Sequence, residues 1–190
     1  VSLASPYVNT IPREISFQVS PALGFSGGFK PNDETAMTVT VPSGVVREVA
    51  IVTLRALSHP TLLANGVVAV PPKGLALVNS DILSLTIAGP AGNKVDLAAP
   101  IEIRFEYTLE STKNLGSLMG YRWHNEKNVW DALSTVATRG DNTLTLIFGT
   151  SQSSYFAIMG KPGLGVAQPA APVGMAAADR SSLIASLKQQ

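Results

Sequence analysis

One stretch limits the choice of fold more than any other. From Ile101 to Leu109 (I-E-I-R-F-E-Y-T-L), Ile101, Ile103, Phe105, Tyr107 and Leu109 alternate with Glu102, Arg104, Glu106 and Thr108. Side chains of an extended strand point to opposite faces in turn, so this pattern builds one apolar face and one face that meets water or a neighbouring strand. The same period recurs in Glu14 to Ser20, Ala36 to Pro42 and Ile82 to Ala88. Glu48 to Leu57 is a longer β-branched run closed by Ser58-His59-Pro60, and Val67 to Val70 is a short one stopped by Pro71-Pro72.

Downstream, Tyr121 and Trp123 alternate with Arg122 and His124, Asn125 to Asn128 reads as a turn, and Val129-Trp130 resumes, which makes a hairpin. Leu133 to Thr138 and Thr143 to Phe148 form a second pair around Arg139-Gly140-Asp141-Asn142, whose Gly and Asn suit the positive φ of a tight turn, and Ser154 to Met159 supplies the last strand. Glu110 to Gly120 is polar with two glycines and fits a loop or one helical turn. No amphipathic helix is expected before residue 175. Parallel strands need crossover connections, usually helical, so an all-β, antiparallel β-sandwich is expected over residues 14–160.

Both flanks differ from this body. Residues 1–13 carry Pro6 and Pro12 and are expected as an extended arm. Residues 161–178 are rich in Pro, Ala and Gly and read as a linker, followed over 179–190 by a short helix with Leu183, Ile184 and Leu187 on one side. So short a helix is unstable alone in water and must dock on its own sandwich, dock on a partner, or fray.

Apolar residues make up 45% of the chain, enough for a sizeable core, while charged residues are only 14%, so the surface must be rich in Ser, Thr, Asn and Gly. The formal charge of +1 comes without a basic block, which excludes a nucleic-acid partner because phosphate binding needs clustered positive charge. The chain has no cysteine, hence no disulfide scaffold and no thiolate metal site; this suits a bacterial secreted chain and a cytoplasmic one alike. No apolar run is long enough for a transmembrane segment. Val1 to Thr10 does not read as a signal peptide, and a start without Met fits a mature or excised fragment.

Chemical motifs are few. Gly24-Phe25-Ser26-Gly27-Gly28 matches the G-x-S-x-G of a nucleophile elbow, but an elbow needs a strand turning into a helix, and Pro21 to Glu34 reads as a glycine-rich loop. His59 and His124 lie too far apart for metal-ligand spacing and no acidic cluster resembles a calcium loop, so neither a metal nor another cofactor is expected. Arg139-Gly140-Asp141 is a tripeptide that some adhesion receptors read, and it is also plain turn chemistry. Tyr121, Trp123 and Trp130, with Tyr155, are candidates for an aromatic binding platform for sugar or protein; burial of the two Trp residues in the core is the favoured alternative.

Laid out in order, Val39 to Val46 (V-T-V-P-S-G-V-V) and Ile87 to Tyr107 resemble the opening and middle of the ZU-five domain family, a sandwich module of surface proteins. Trp123 to Gly160 is similar to the last strands of the GAIN domain of adhesion receptors. The resemblance covers about residues 36–160. Some members of both families cut their own backbone at a His-x-Thr or His-x-Ser triplet before Phe-Ala, with the hydroxyl attacking the preceding carbonyl and the His taking its proton. Here the matching positions are Gln152, Ser153 and Ser154, followed by Phe156-Ala157. The nucleophile type is present; the base is replaced by an amide that takes no proton near neutral pH.

The expectation is therefore a non-catalytic structural or interaction module of a bacterial surface or secreted, homo-oligomeric assembly, engaging protein neighbours through its tails and sheet edges. Self-cleavage between Ser153 and Ser154 and carbohydrate binding are the alternatives.

Overall fold

The computed structural model describes residues 13–163. The arm at 1–12, nearly all of the 161–178 linker, and the 179–190 helix with Leu183, Ile184 and Leu187 lie outside the described residues. The strands are β1 (Glu14–Val19), β2 (Phe25–Asn32), β3 (Thr35–Val41), β4 (Ala50–Ser58), β5 (Ala76–Leu77), β6 (Asp81–Ala88), β7 (Ile101–Thr108), β8 (Leu115–His124), β9 (Val129–Ala132), β10 (Thr135–Arg139), β11 (Thr143–Thr150) and β12 (Ser154–Pro162). Two short helices, α1 (His59–Ala64) and α2 (Leu109–Thr112), follow β4 and β7.

The strands form an antiparallel β-sandwich. The larger sheet runs β1-β4-β6-β12-β8-β9, with β5 pairing β12 beyond the end of β6; the smaller runs β10-β11-β7-β3-β2. The alternation in β7 works as expected: Ile101, Ile103, Phe105 and Tyr107 are buried against Leu54, Leu83, Leu85, Phe156 and Ile158 of the other sheet, in one core cluster. Full burial of each such side chain is worth about 1.5–3 kcal/mol.

Several local expectations are corrected. Pro21 to Glu34 is not a loop throughout, because most of it is edge strand β2. Its glycines answer to close approach: a Cβ on Gly28 would lie 2.1 Å from the Met37 carbonyl oxygen. Pro31 is tolerated because β2 pairs on one side only and its register slips between Phe29 and Asn32. Val67 to Val70 is not a strand, and a helix does precede residue 175: α1, with Pro60 at its start, where a missing N–H is harmless. In Glu110 to Gly120 one turn of helix gives way to the first half of β8. Gly140 and Asn142 keep negative φ; the left-handed turn residue is Asn128, at φ 52°, between β8 and β9. The strand body also extends past residue 160, since Lys161 and Pro162 still pair with Gly116 and Leu115.

A polar latch ties the sheets together at one end. Arg13 Nη2 donates to Asp81 Oδ1 (2.5 Å) and Asn32 Nδ2 to Asp81 Oδ2 (2.8 Å). Asn79 Oδ1 accepts the Asp81 N–H (3.0 Å), while Asn79 Nδ2 donates to Thr35 Oγ1 (2.7 Å). Near it, burial raises the pKa of the Tyr107 phenol well above its usual range, and the Asp81 carboxylate raises it further. A phenol whose pKa is raised by folding contributes stability in full below its unfolded value of about 10 and loses it as pH rises beyond. Denaturant unfolding followed between neutral pH and pH 11 should therefore show stability falling along an alkaline limb, and Tyr107→Phe should flatten that limb.

Candidate functional site

The segment Tyr121 to Gly160, which holds most of the sequence candidates, folds around β12. The hairpin is as expected: Trp123 pairs directly with Trp130 across β8 and β9. The indole centroids are 5.3 Å apart at 61°, an edge-on contact that aromatic quadrupoles favour. Both rings lie on the outer face of the larger sheet, yet Tyr121, Trp123 and Trp130 are only 8%, 4% and 7% exposed. Their cover is the excursion between β4 and β6. Leu62 of α1 and Val68 are buried in the same cluster as the rings, with Ile82, Ala157 and Met159, and Val67, Ala69, Leu75 and Leu77 pack against it.

Trp130 Nε1 donates to the Ala69 carbonyl (3.0 Å), and His59 Nε2 lies 3.3 Å from the same oxygen. These contacts make the run Val67 to Val70 a packed cover. The rings proposed as a binding platform are thus a second core, and the open faces that a sugar would stack on are taken up by packing. Tyr155 remains partly exposed.

The Gln152-Ser153-Ser154 junction connects β11 of the smaller sheet to β12 of the larger, and the Gln152 backbone and both serine hydroxyls have structural partners there. Thr150 Oγ1 donates to the Gln152 carbonyl (3.1 Å) and accepts the Gln152 N–H (3.4 Å). Ser153 Oγ accepts the Ile87 N–H (2.9 Å). Ser154 Oγ donates to the Trp123 carbonyl (2.7 Å), so its proton points at an acceptor that cannot carry it away as a base would. The register Phe156↔Arg122, continued two residues along both strands, brings Ser154 level with His124. Sequence spacing does not fix this neighbour, since the two positions come level only when β12 enters the sheet.

In the other weak motif, Ser26 Oγ pairs with Thr40 Oγ1 (3.0 Å) on an edge strand, without the strand-to-helix turn of an elbow. Arg139 and Asp141 are exposed at the β10–β11 turn, which is anchored where Leu109 N–H donates to the Asn142 carbonyl (3.1 Å). Among the described residues no group of three or more His, Asp or Glu side chains is placed to hold a metal ion.

A feature that sequence reasoning missed is the unequal protection of three edge strands, β2, β9 and β10. β2 carries Lys30, Pro31 and a register slip, and β9 is four residues long; both are ordinary ways of blunting an edge. β10 has neither proline nor bulge, and its residues Val136 to Arg139 are all exposed, Val136 at 64%.

No protein-family model matches the chain, and no curated protein sequence matches it.

If the indole pair is core, Trp123→Ala should cost about 3–5 kcal/mol of stability, the usual penalty for truncating a buried aromatic. The check is denaturant unfolding followed by circular dichroism; an effect below about 1 kcal/mol would mean that the cover contributes little.

Proposed function

We propose that the chain is a non-catalytic structural or interaction module of a surface or secreted assembly, engaging neighbouring chains through its sheet edges and its tails. The observation that carries the reading is β10. Among the described residues it pairs only with β11, at Thr135↔Phe148 through Arg139↔Leu144, and past Thr135, which is tied to β8, its exposed residues Val136 to Arg139 include no proline, bulge or lysine. A free edge of that kind is a template for an added strand: main-chain hydrogen bonds supply affinity, and alternate side chains supply selectivity. The exposed Val136 adds apolar area at the same place. The surface setting and kinship with ZU-five and GAIN sandwiches rest on the sequence resemblance.

Light scattering on the full chain over a range of concentrations should give a defined multimer. Val136→Lys with Thr138→Lys should dissociate it while leaving thermal stability almost unchanged, since both positions are exposed. A chain monomeric at every concentration, in the absence of other proteins, would remove self-assembly through this edge. The alternative of self-cleavage at Ser153-Ser154 is separated by denaturing electrophoresis, where the module is expected as one full-length band and a cleaving chain as two.

A further inference from the structure

The backbone of β10 divides into groups bonded to β11 and groups left free. At the end of the strand the Gly140 N–H donates to the Thr143 carbonyl (2.9 Å), which makes Gly140 and Thr143 a hydrogen-bonded pair of the β10–β11 ladder. Such pairs alternate along an antiparallel ladder with pairs that exchange no bonds, so Thr138 and Val136 also turn their backbone groups toward Thr145 and Ile147. The N–H and C=O of Ala137 and Arg139 point the other way, off the sheet. Those of Thr135 do too, but β8 stands beside that residue, whose hydroxyl accepts the Gly120 N–H (2.9 Å). The open stretch therefore runs from Val136 to Gly140, bounded by β8 at one end and by the turn at the other, with Thr138 at its middle.

We propose that a second copy of the chain adds at this edge, its β10 antiparallel to the first about a two-fold axis at Thr138. The inference rests on the reading of β10 as an interaction edge and gives it a partner, an orientation and a register. In this register Ala137 of each copy exchanges both its main-chain hydrogen bonds with Arg139 of the other, which satisfies every free group past Thr135. An axis at Ala137 would need the groups of Thr135, which face β8, and an axis at Arg139 would set like charges directly opposite each other. An axis between residues would oppose free groups to groups already bonded to β11. Thr138 meets its own counterpart, a hydroxyl pairing of the kind that Ser16 makes with Thr53 (2.8 Å) and Ser26 with Thr40 (3.0 Å) directly across neighbouring strands. Val136, 64% exposed, comes opposite Gly140, whose lack of a side chain leaves room for it to cover the other copy's backbone. The two boundaries match as well, because the turn after Gly140 carries one chain away where β8 of the other begins. A two-fold contact uses the same patch on both copies, so this edge closes at a dimer that joins the two five-stranded sheets into one.

The chain has no cysteine, so single cysteines report the register. Cα atoms of a non-hydrogen-bonded antiparallel pair lie about 4.5 Å apart, within the span of a disulfide. Under copper-catalysed air oxidation of the full chain, Thr138→Cys should give a band at twice the chain mass on non-reducing denaturing electrophoresis. Val136→Cys, whose counterpart would lie about 14 Å away, should stay single, and so should Ala137→Cys. All three positions are exposed, so the substitutions leave the core intact. Linking through Ala137→Cys in place of Thr138→Cys, or equally through all three, would overturn the register. A multimer that Val136→Lys with Thr138→Lys dissociates, but that Thr138→Cys does not link, would overturn this dimer while the wider reading of β10 stands. A chain monomeric by light scattering at every concentration would remove self-assembly and this dimer together.

Discussion

Insertion of β12 between β6 and β8 is the pairing on which the rest of the molecule depends. Before it enters, the larger sheet exists only as two separate pieces, β1-β4-β6 and β8-β9. Its nine residues work on both faces: Phe156 and Ile158 enter the core between the sheets, while Ala157 and Met159 enter the cluster beneath α1. Gly160 admits the close packing at its far end, where a Cβ would lie 2.5 Å from Leu118 Cδ2. Both joins to the rest of the sheet are non-local, so the largest part of the loop-closure entropy must be overcome before this strand returns any stability.

The two core clusters divide the work between them. The inner one joins the sheets and is built from the alternating faces of strands. The outer one exists because Tyr121, Trp123 and Trp130 would otherwise leave a broad aromatic surface in water, and the connection from β4 to β6 is long enough to lie across them. One carbonyl, that of Ala69, sets the position of this cover by accepting the Trp130 indole N–H. With so few charges available, Ser, Thr and Asn fill the structural roles that ion pairs often take. Ser16 meets Thr53 across β1 and β4, Ser154 meets the Trp123 carbonyl, and Asn79 reaches Thr35 between the sheets.

The fold was legible wherever the cause was local. Ile101 to Leu109 and the hairpin around Asn125 to Asn128 can be read because strand alternation and turn chemistry are written in neighbouring residues. β2 was not, since Gly27, Gly28 and Pro31 look like loop composition until the approach of β3 and the one-sided pairing of the strand explain them. Val67 to Val70 carried the same apolar signal as a short strand; only the distant indole shows that it is a cover. At the cleavage-like junction, the loss of the base at Gln152 was legible, while the partners of Ser153 and Ser154 were not, because Ile87 and Trp123 arrive from far along the chain.

The strand registers also determine how the module responds to tension. β1 begins, and β12 finishes, toward the end of the sandwich that carries α1 and the Asp81 latch, so the chain enters and leaves on the same side. A load applied through Arg13 and Gly163 pulls both strands from that side. The hydrogen bonds of an antiparallel pair lie perpendicular to the strands, so such a load opens them singly from the end, whereas termini at opposite ends would load them together in shear. The sandwich is thus built to yield by peeling, with the Arg13–Asp81 contact as the first bond in line.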